Sequence, residues 1–474
     1  MSQFLFQYVR LEPPTWVFLS TLLVIGLFLM FHRFWSLRNL DILLILAFTP
    51  GMMMVYEGRQ RAFEMVDHGA EMMAGNSPES IDSSESVDSI PTNLIQPPKH
   101  NWNAQSLVYW GFLWLIVCAG LLLIRMLLDT SIVRRPLLDP NLSSSGMLFL
   151  GTSLLIYLMV NVATSNPIEQ QRSSPEMGPG YVLLCALPQI ATTPQAPLEI
   201  SQARSDRADF KLTIAKILAI GANLTLVFCI LAIGYWHFGN LKTGVGAATF
   251  YLLFPYTAHM TGRVDHVVPS ALLLLAILMY RQPFVAGLFL GCSAGVVYYP
   301  FSLLPLWCSF YWQRGIRRFT GGFVVAISAL VVAMIFIHPN SFMQDLRYMF
   351  GLKQVAMNGM DGIWGLGWYP VMRIPIIVAF VLLSLSFVMW PPQKNLATLL
   401  SCSAAIMAAT QFWHGFGGGL YMAWFIPLAL LTVFRPNLDY CIALEVVRPT
   451  RKKLARKAAS NSETTEADPS QPPA

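Results

Sequence analysis

The sequence predicts an all-α integral membrane protein with about 13 transmembrane helices. Three observations predict it. Hydrophobic residues make up 55% of the 474-residue chain and charged residues only 12%, with a mean hydropathy of +0.53, a composition far from that of an average soluble domain. Apolar runs recur from one end of the chain to the other. The short connections between them alternate between basic and non-basic, the pattern that orients membrane helices.

The first run, Trp16 to Phe31, follows a single Arg and precedes no small-residue cleavage site, so it reads as a retained helix and not a signal peptide. After His32, Arg33 and Arg38, a second run from Asp41 to Tyr56 closes an N-terminal hairpin, 1–57, whose basic connection is expected in the cytoplasm. Residues 58–104 form an acidic external loop. Its centre, NSPESIDSSESVDSIP, has no apolar periodicity and reads as disordered. Its start, EGRQRAFEMVDHG, predicts a short helix lying on the membrane. Leu107 to Leu128 and Met147 to Val162 make the next hairpin, 105–163, around cytoplasmic Arg134 and Arg135. In the external loop 164–210, Tyr181 to Leu187 is apolar but too short to span and is expected to rest at the interface.

The core, 211–435, contains spans at Leu212–Trp236, Val245–Met260, Val267–Tyr280, Phe284–Val297, Phe301–Trp312 and Gly322–Phe336. Lys242, Arg281 and the group Arg314, Arg317, Arg318 fall inside, while the knot Thr261–His266 and the Tyr298-Tyr299 turn fall outside. An external segment, 338–372, carries Asp345, Arg347, Lys353, Asp361, Trp364, Trp368 and Tyr369. Ile374–Trp390, Ala397–Trp413 and Leu420–Phe434 complete the set, with His414–Gly419 as an outer turn. The amino end is thereby placed outside and the tail, 436–474, inside. Arg448, Arg451, Lys452, Lys453, Arg456 and Lys457 directly follow an apolar segment, which suits contact with anionic lipid and not nucleic acid. The run SNSETTEADPSQPPA beyond them reads as disordered.

The seven cysteines are isolated, without metal-ligand or C-x-x-C spacing, so neither a metal nor disulfides are expected. No P-loop, G-x-S-x-G, H-E-x-x-H or dinucleotide fingerprint is present, which excludes a self-contained nucleotide-driven pump. What remains is a set of polar groups on the predicted outer face: Arg263, Asp265 and His266 in one loop, Tyr298 and Tyr299 in a second, His414 in a third, Asp361 with its tryptophans in a fourth. Ionisable groups at a membrane boundary are costly and mark function by default. A carboxylate there suits a general base, and Arg or His suits a phosphate. An ion pair of Arg263 with Asp265 that anchors two helix ends is the plainer reading.

The order Gly262 to Asp265, Arg281 to Pro283, Ala286-Gly287 with Gly291, Tyr299-Pro300 and Leu304-Pro305-Leu306 resembles the polytopic GT-C glycosyltransferases. It is most similar to family 87, the polyprenyl-phosphate-mannose-dependent mannosyltransferases. The likeness runs from Leu212 to Trp312 and extends weakly to Trp413-His414 and Trp424 to Pro427. Where family members commonly carry a Lys before the Tyr-Pro turn, this chain has Ala294-Gly295-Val296-Val297. The resemblance implies a GT-C-like fold that moves a mannose-like sugar from a polyprenyl-phosphate donor to an acceptor outside, with no cofactor. Its catalytic base would come from the first large external loop, which offers Glu57, Glu64, Asp67 and Glu71, or be Asp265. Arg263 and His266 would contact phosphate, Trp364 and Trp368 would stack on sugar, and Tyr298, Tyr299 and His414 would complete the substrate site. Expected partners are membrane lipids, the lipid-linked donor and an unidentified acceptor. Two other classes stand beside this reading: a transporter, for which charge within helices and an internal repeat are expected, and a GT-C-like membrane protein without activity.

Overall fold

The computed structural model describes residues 13–75, 102–132, 138–165, 167–168, 184, 187–190, 192, 206–337, 342–343, 360, 362–392, 394–415 and 418–437. The acidic stretch 76–101, Asp361 and the tail 438–474 lie outside them. The described chain is helical apart from a two-residue antiparallel pair, Pro167–Ile168 with Gln189–Ile190, and one isolated bridge between Gly362 and Gly418.

The helices, in chain order, are α1 (Pro13–Phe28), α2 (Leu37–Leu46), α3 (Phe48–Gly75), α4 (Trp102–Leu128), α5 (Ser144–Thr164), α6 (Asp206–Ala232), α7 (Leu241–Leu253), α8 (Pro255–Met260), α9 (Val264–Leu278), α10 (Pro283–Val296), α11 (Leu304–Tyr311), α12 (Ile316–Ile337), α13 (Arg373–Ser386), α14 (Leu396–Ala409) and α15 (Ile426–Phe434). Five stretches are long and apolar enough to cross a membrane: Leu37–Ala62, Ala104–Ser131, Ser144–Thr164, Phe210–His237 and Ile316–Ala333. Phe18, Phe149, Phe336 and Leu382 project outward from α1, α5, α12 and α13. Such a surface suits hydrocarbon and not water.

Several runs that read as single spans are divided or shortened. Val245–Met260 breaks at Pro255, because the residue before a proline is driven to extended backbone and Phe254 sits at φ −61°, ψ 123°. The hydroxyl of Thr257 donates to the carbonyl of Tyr251, 2.6 Å away, across that break. Phe301–Trp312 yields only α11 after a 3-10 turn, and Leu420–Phe434 only α15. Both are too short to cross ~30 Å of hydrocarbon at 1.5 Å per residue. The acidic loop's first residues, expected as a separate surface helix, instead continue the second span without interruption to Gly75. The apolar segment near Leu187 packs with Ile190 against Val162, Ala215, Ala219 and Val264. It folds onto one end of the bundle.

All residues of α14 and α15 are buried, and one hydrophobic core runs from Val24 to Phe434. The N-terminal hairpin shares that core with 211–435, through Phe28 against Phe434 and Phe48 against Phe425. α10 and α12 pack backbone against backbone. A Cβ on Gly287 would lie 2.0 Å from the carbonyl oxygen of Phe319, and one on Gly322 2.0 Å from that of Phe284. Small residues let helix backbones meet in a bilayer, where apolar burial alone gives no preference for helix over lipid.

Buried ionisable side chains gather at two places near helix ends. At one end Arg125 donates to Asp41 (2.5 and 2.7 Å) and to Asp129 (3.1 Å), and Arg435 donates to Asp129 (2.7 Å). All four side chains are buried. Arg38 donates there to the carbonyls of Phe28 and Asp139, and Asn141 to those of Gly26 and Leu29, so the last turn of α1 finds partners. The other end carries Asp265.

Removing one member of a buried ion pair strands its partner. Asp129→Asn is therefore expected to destabilise the detergent-solubilised protein by ~3–5 kcal/mol, read as a lower melting temperature; unchanged melting would show the chain of charges to be dispensable. Cysteines placed at Arg33, Arg281 and Arg317 should react with an impermeant maleimide from one side of the membrane, and one at Tyr369 from the other. Positions 317 and 369 labelling from the same side would break the alternation.

Candidate functional site

The knot Thr261–His266 forms because α8 ends at Met260 and α9 begins at Val264, leaving Gly262 pressed against the loop below it. A Cβ there would lie 2.4 Å from the carbonyl oxygen of Ile190, so a side chain at 262 would push that loop away. Thr192 donates to the carbonyl of His259 (2.9 Å) and Asn223 to that of Thr261 (3.0 Å), fixing the knot from both sides.

Within it, Arg263 grips Asp265 with two hydrogen bonds, Nε to Oδ1 at 3.1 Å and Nη2 to Oδ2 at 3.0 Å. Asp265 is only 3% exposed, whereas the Arg263 side chain keeps 28%. His266 Nε2 lies 3.6 Å from the same Oδ2, and its Nδ1 lies 2.5 Å from the hydroxyl of Tyr256. The imidazole therefore sits between a carboxylate and a phenol.

The outer turn after α14 meets this layer from the far end of the sequence. Gln411 accepts hydrogen bonds from the backbone N–H of Gly419 (3.0 Å) and Tyr421 (3.3 Å), which closes the turn. Gly419 adopts φ +95°, a conformation that favours glycine. Closure stacks Tyr421 on His266, with ring centroids 4.4 Å apart, and on His414 at 4.6 Å and Trp424 at 4.4 Å. Tyr299 joins from the turn before α11, 4.9 Å from His414 and 4.2 Å from Tyr298. Arg373, the first residue of α13, donates to the carbonyl of Trp413 at 2.6 Å and lies over its ring at 6.0 Å.

His414 lies in the turn outside the helices. Burial, then the cation of Arg373, then His266, hold its pKa well below the ordinary imidazole value. It is thus neutral at physiological pH.

Of the residues picked from the sequence, Arg263, Asp265, His266, Tyr298, Tyr299 and His414 come together. Trp364 belongs to the same end but is only 6% exposed, and its indole N–H donates to the carbonyl of Phe412 at 3.0 Å. It braces the turn. Trp368 is 45% exposed. Glu57 is half-buried and its side chain pairs with Arg61 at 2.9 Å, one position after Tyr56, whose ring packs on His259 at 5.4 Å. Glu64, Asp67 and Glu71 follow on the same helix, with side chains outside the described residues. Sequence reading missed Tyr256, Tyr421, Trp424 and Arg373. Each lies in an apolar run where an aromatic reads as belt or core, and Arg373 begins a helix as an ordinary flanking charge.

The layer is close-packed. A crevice beneath it, lined by Ser270, Ser293, Pro300 and Trp424 among others, has a cavity volume of about 0 Å³, so it leaves no room even for a water molecule. Among the described residues no group of His, Cys, Asp or Glu could hold a metal ion. No protein family, curated protein or solved structure matches the chain.

A histidine buried neutral resists protonation while the unfolded chain accepts a proton, so stability is unaffected by it above the unfolded pKa of about 6.5 and falls below it. The melting temperature of the purified protein is expected to drop as pH falls through that value, with a shallower slope in His414→Phe. An unaltered slope in the variant would remove His414 from the acid response.

Proposed function

We propose that the chain is a multi-pass protein of the cell membrane, built like a GT-C glycosyltransferase, that moves a mannose-like sugar from a polyprenyl-phosphate donor to an acceptor on the side where Asp265 lies. One observation carries the reading. Ionisable and aromatic side chains remote from one another in sequence, Arg263 to His266 and Trp413 to Trp424, converge at one end of an otherwise apolar bundle. Polar convergence of this kind in a membrane protein has a functional default, and the resemblance of Gly262 to Leu306 to family 87 gives that default a chemistry.

In this reading Arg263, the exposed member, meets the donor phosphate by charge-assisted hydrogen bonds. Asp265 orients it. Both carboxylate oxygens of Asp265 already accept from Arg263, which makes it a weak base. The base role then suits Glu57, whose exposed pair with Arg61 is loosely held, with Glu64 and Asp67 behind it on α3. The acceptor oxygen attacks the anomeric carbon, its proton passes to the carboxylate, and the polyprenyl phosphate leaves with the electron pair of the broken bond. Trp368 and Tyr298 offer accessible ring faces for sugar.

A second reading, a GT-C-like protein without activity, is favoured by the close packing and by the Arg263–Asp265 pair serving as a plain helix anchor. Transfer assays with lipid-linked mannose and related sugars separate the two. Arg263→Gln should raise the donor KM at least tenfold, since a hydrogen bond to a charged group contributes about 1.5–3 kcal/mol, and Glu57→Gln should abolish turnover while donor binding persists. An unmutated protein that transfers none of several lipid-linked sugars, with Asp265→Asn affecting stability alone, would establish the inactive reading.

A further inference from the structure

Arg281, Arg314, Arg317 and Arg318 gather where α10 and α12 begin. The two helices run parallel, because Gly322 meets the carbonyl of Phe284, Gly287 that of Phe319, and Gly291 both Phe323 and Ala326. Pro283 also packs on Gly315, so the turns that lead into the two helices touch. Arg281 lies over the ring of Tyr280 at 5.7 Å and Arg314 over that of Phe310 at 5.1 Å, and these rings meet edge-on with centroids 6.2 Å apart. Arg314 donates as well to the carbonyl of Lys394 at 3.1 Å. All four arginines are exposed, so an anion reaches them from the surface and needs no cavity.

Next to these cations, α12 presents an apolar track. Arg317 and Arg318, then Gly321, then Val324 and Val325 follow at spacings of three and four residues, which puts them on one face of the helix. Val324 and Val325 are exposed, as is Phe284 against Gly322. A Cβ on Gly321 would meet nothing within 4 Å. The face is therefore cationic at its end, open at Gly321 and apolar beyond, on a stretch long and apolar enough to cross a membrane. Arginines at the start of a helix oppose its dipole, so helix stability does not explain them. Orientation of a span requires only basic charge on the correct side. It does not require that charge on two touching helix starts next to an open apolar stripe.

We propose that this face seats one anionic phospholipid, with its phosphate on Arg317 and Arg318, Arg281 and Arg314 around it, and an acyl chain along Gly321 and Val325. The planar fork of Arg matches phosphate oxygens in pairs. Basic clusters between membrane helices suit anionic headgroups in the same way. A free phosphate would use the cations but not the apolar stripe, and a lipid with a neutral headgroup would use the stripe but not the cations. No transfer chemistry is involved. The seat adjoins the end of α9 remote from Asp265, so it is separate from the proposed donor site.

Lipid titration of the full-length protein in detergent tests the seat, followed by native mass spectrometry and melting temperature. Phosphatidylglycerol should bind and raise the melting temperature, phosphatidylcholine with the same chains should bind roughly tenfold more weakly or less, and glycerol phosphate, the anion without the chains, should not stabilise the protein. Arg317→Gln combined with Arg318→Gln should lower phosphatidylglycerol affinity roughly tenfold or more. Gly321→Leu keeps every charge and fills the open position, where a Cβ meets nothing, so it should fold normally and weaken binding several-fold. Arg33→Gln removes an exposed cation from a different basic connection and should change affinity little. Unchanged affinity in either the double variant or Gly321→Leu overturns the seat, as does equal affinity for the two lipids or stabilisation by glycerol phosphate. A loss in Arg33→Gln as large as in the double variant overturns it too, because attraction to anionic lipid would then be diffuse.

Discussion

Four buried charges at one end of the bundle hold its first hairpin to its last helix. Asp41, Arg125, Asp129 and Arg435 alternate in sign along α2, α4, the turn after it and the end of α15, so that each lies beside an opposite charge. The desolvation of such groups is offset only where pairing is complete. α15 depends on that completeness. With nine residues it reaches about 14 Å at 1.5 Å per residue, less than half of a bilayer core, and it stays in place because neighbours enclose it on every side and Arg435 ties its end. α14, equally enclosed, packs between α15 and α4 and makes the centre of the protein independent of lipid.

The opposite end solves the same problem differently. There the polar side chains are set among rings. His266 and His414 both stack on Tyr421, His414 also meets Trp424 and Tyr299, and Tyr256 meets His266 through its hydroxyl. Neutral imidazole tolerates such burial, which charge would not. The remaining charge is concentrated on Arg263, Asp265 and Arg373.

The short motifs behind the resemblance have packing roles in this chain. Pro283, Pro300 and Pro305 stand in the first turn of helical segments, where a missing N–H costs nothing. Gly287 and Gly291 let α10 approach α12. A bundle of short helices needs these residues whatever it does, so their order speaks to architecture. Arg263, Asp265 and His266 are different, since packing alone has no use for three ionisable groups in succession.

Hydrophobic runs, basic connections and proline positions are local properties, and the sequence alone determined from them that the chain is helical, suited to a membrane and folded back on itself at Thr261–His266 and His414–Gly419. It also exposed the members of the site that interrupt apolar runs, because polarity against an apolar background is visible residue by residue. Tertiary structure decided the rest. Whether an apolar helix faces lipid or protein depends on its neighbours and not on its composition, which is why the enclosure of α14 and α15 by protein has no signal in their sequence. Asp41 lies 84 residues from Arg125 and Asp129 306 from Arg435, and Tyr421 and Arg373 look ordinary until folding brings the first against His266 and buries the second against the Trp413 carbonyl. Pairing across the chain has no local signal, and the chemistry of both ends rests on it.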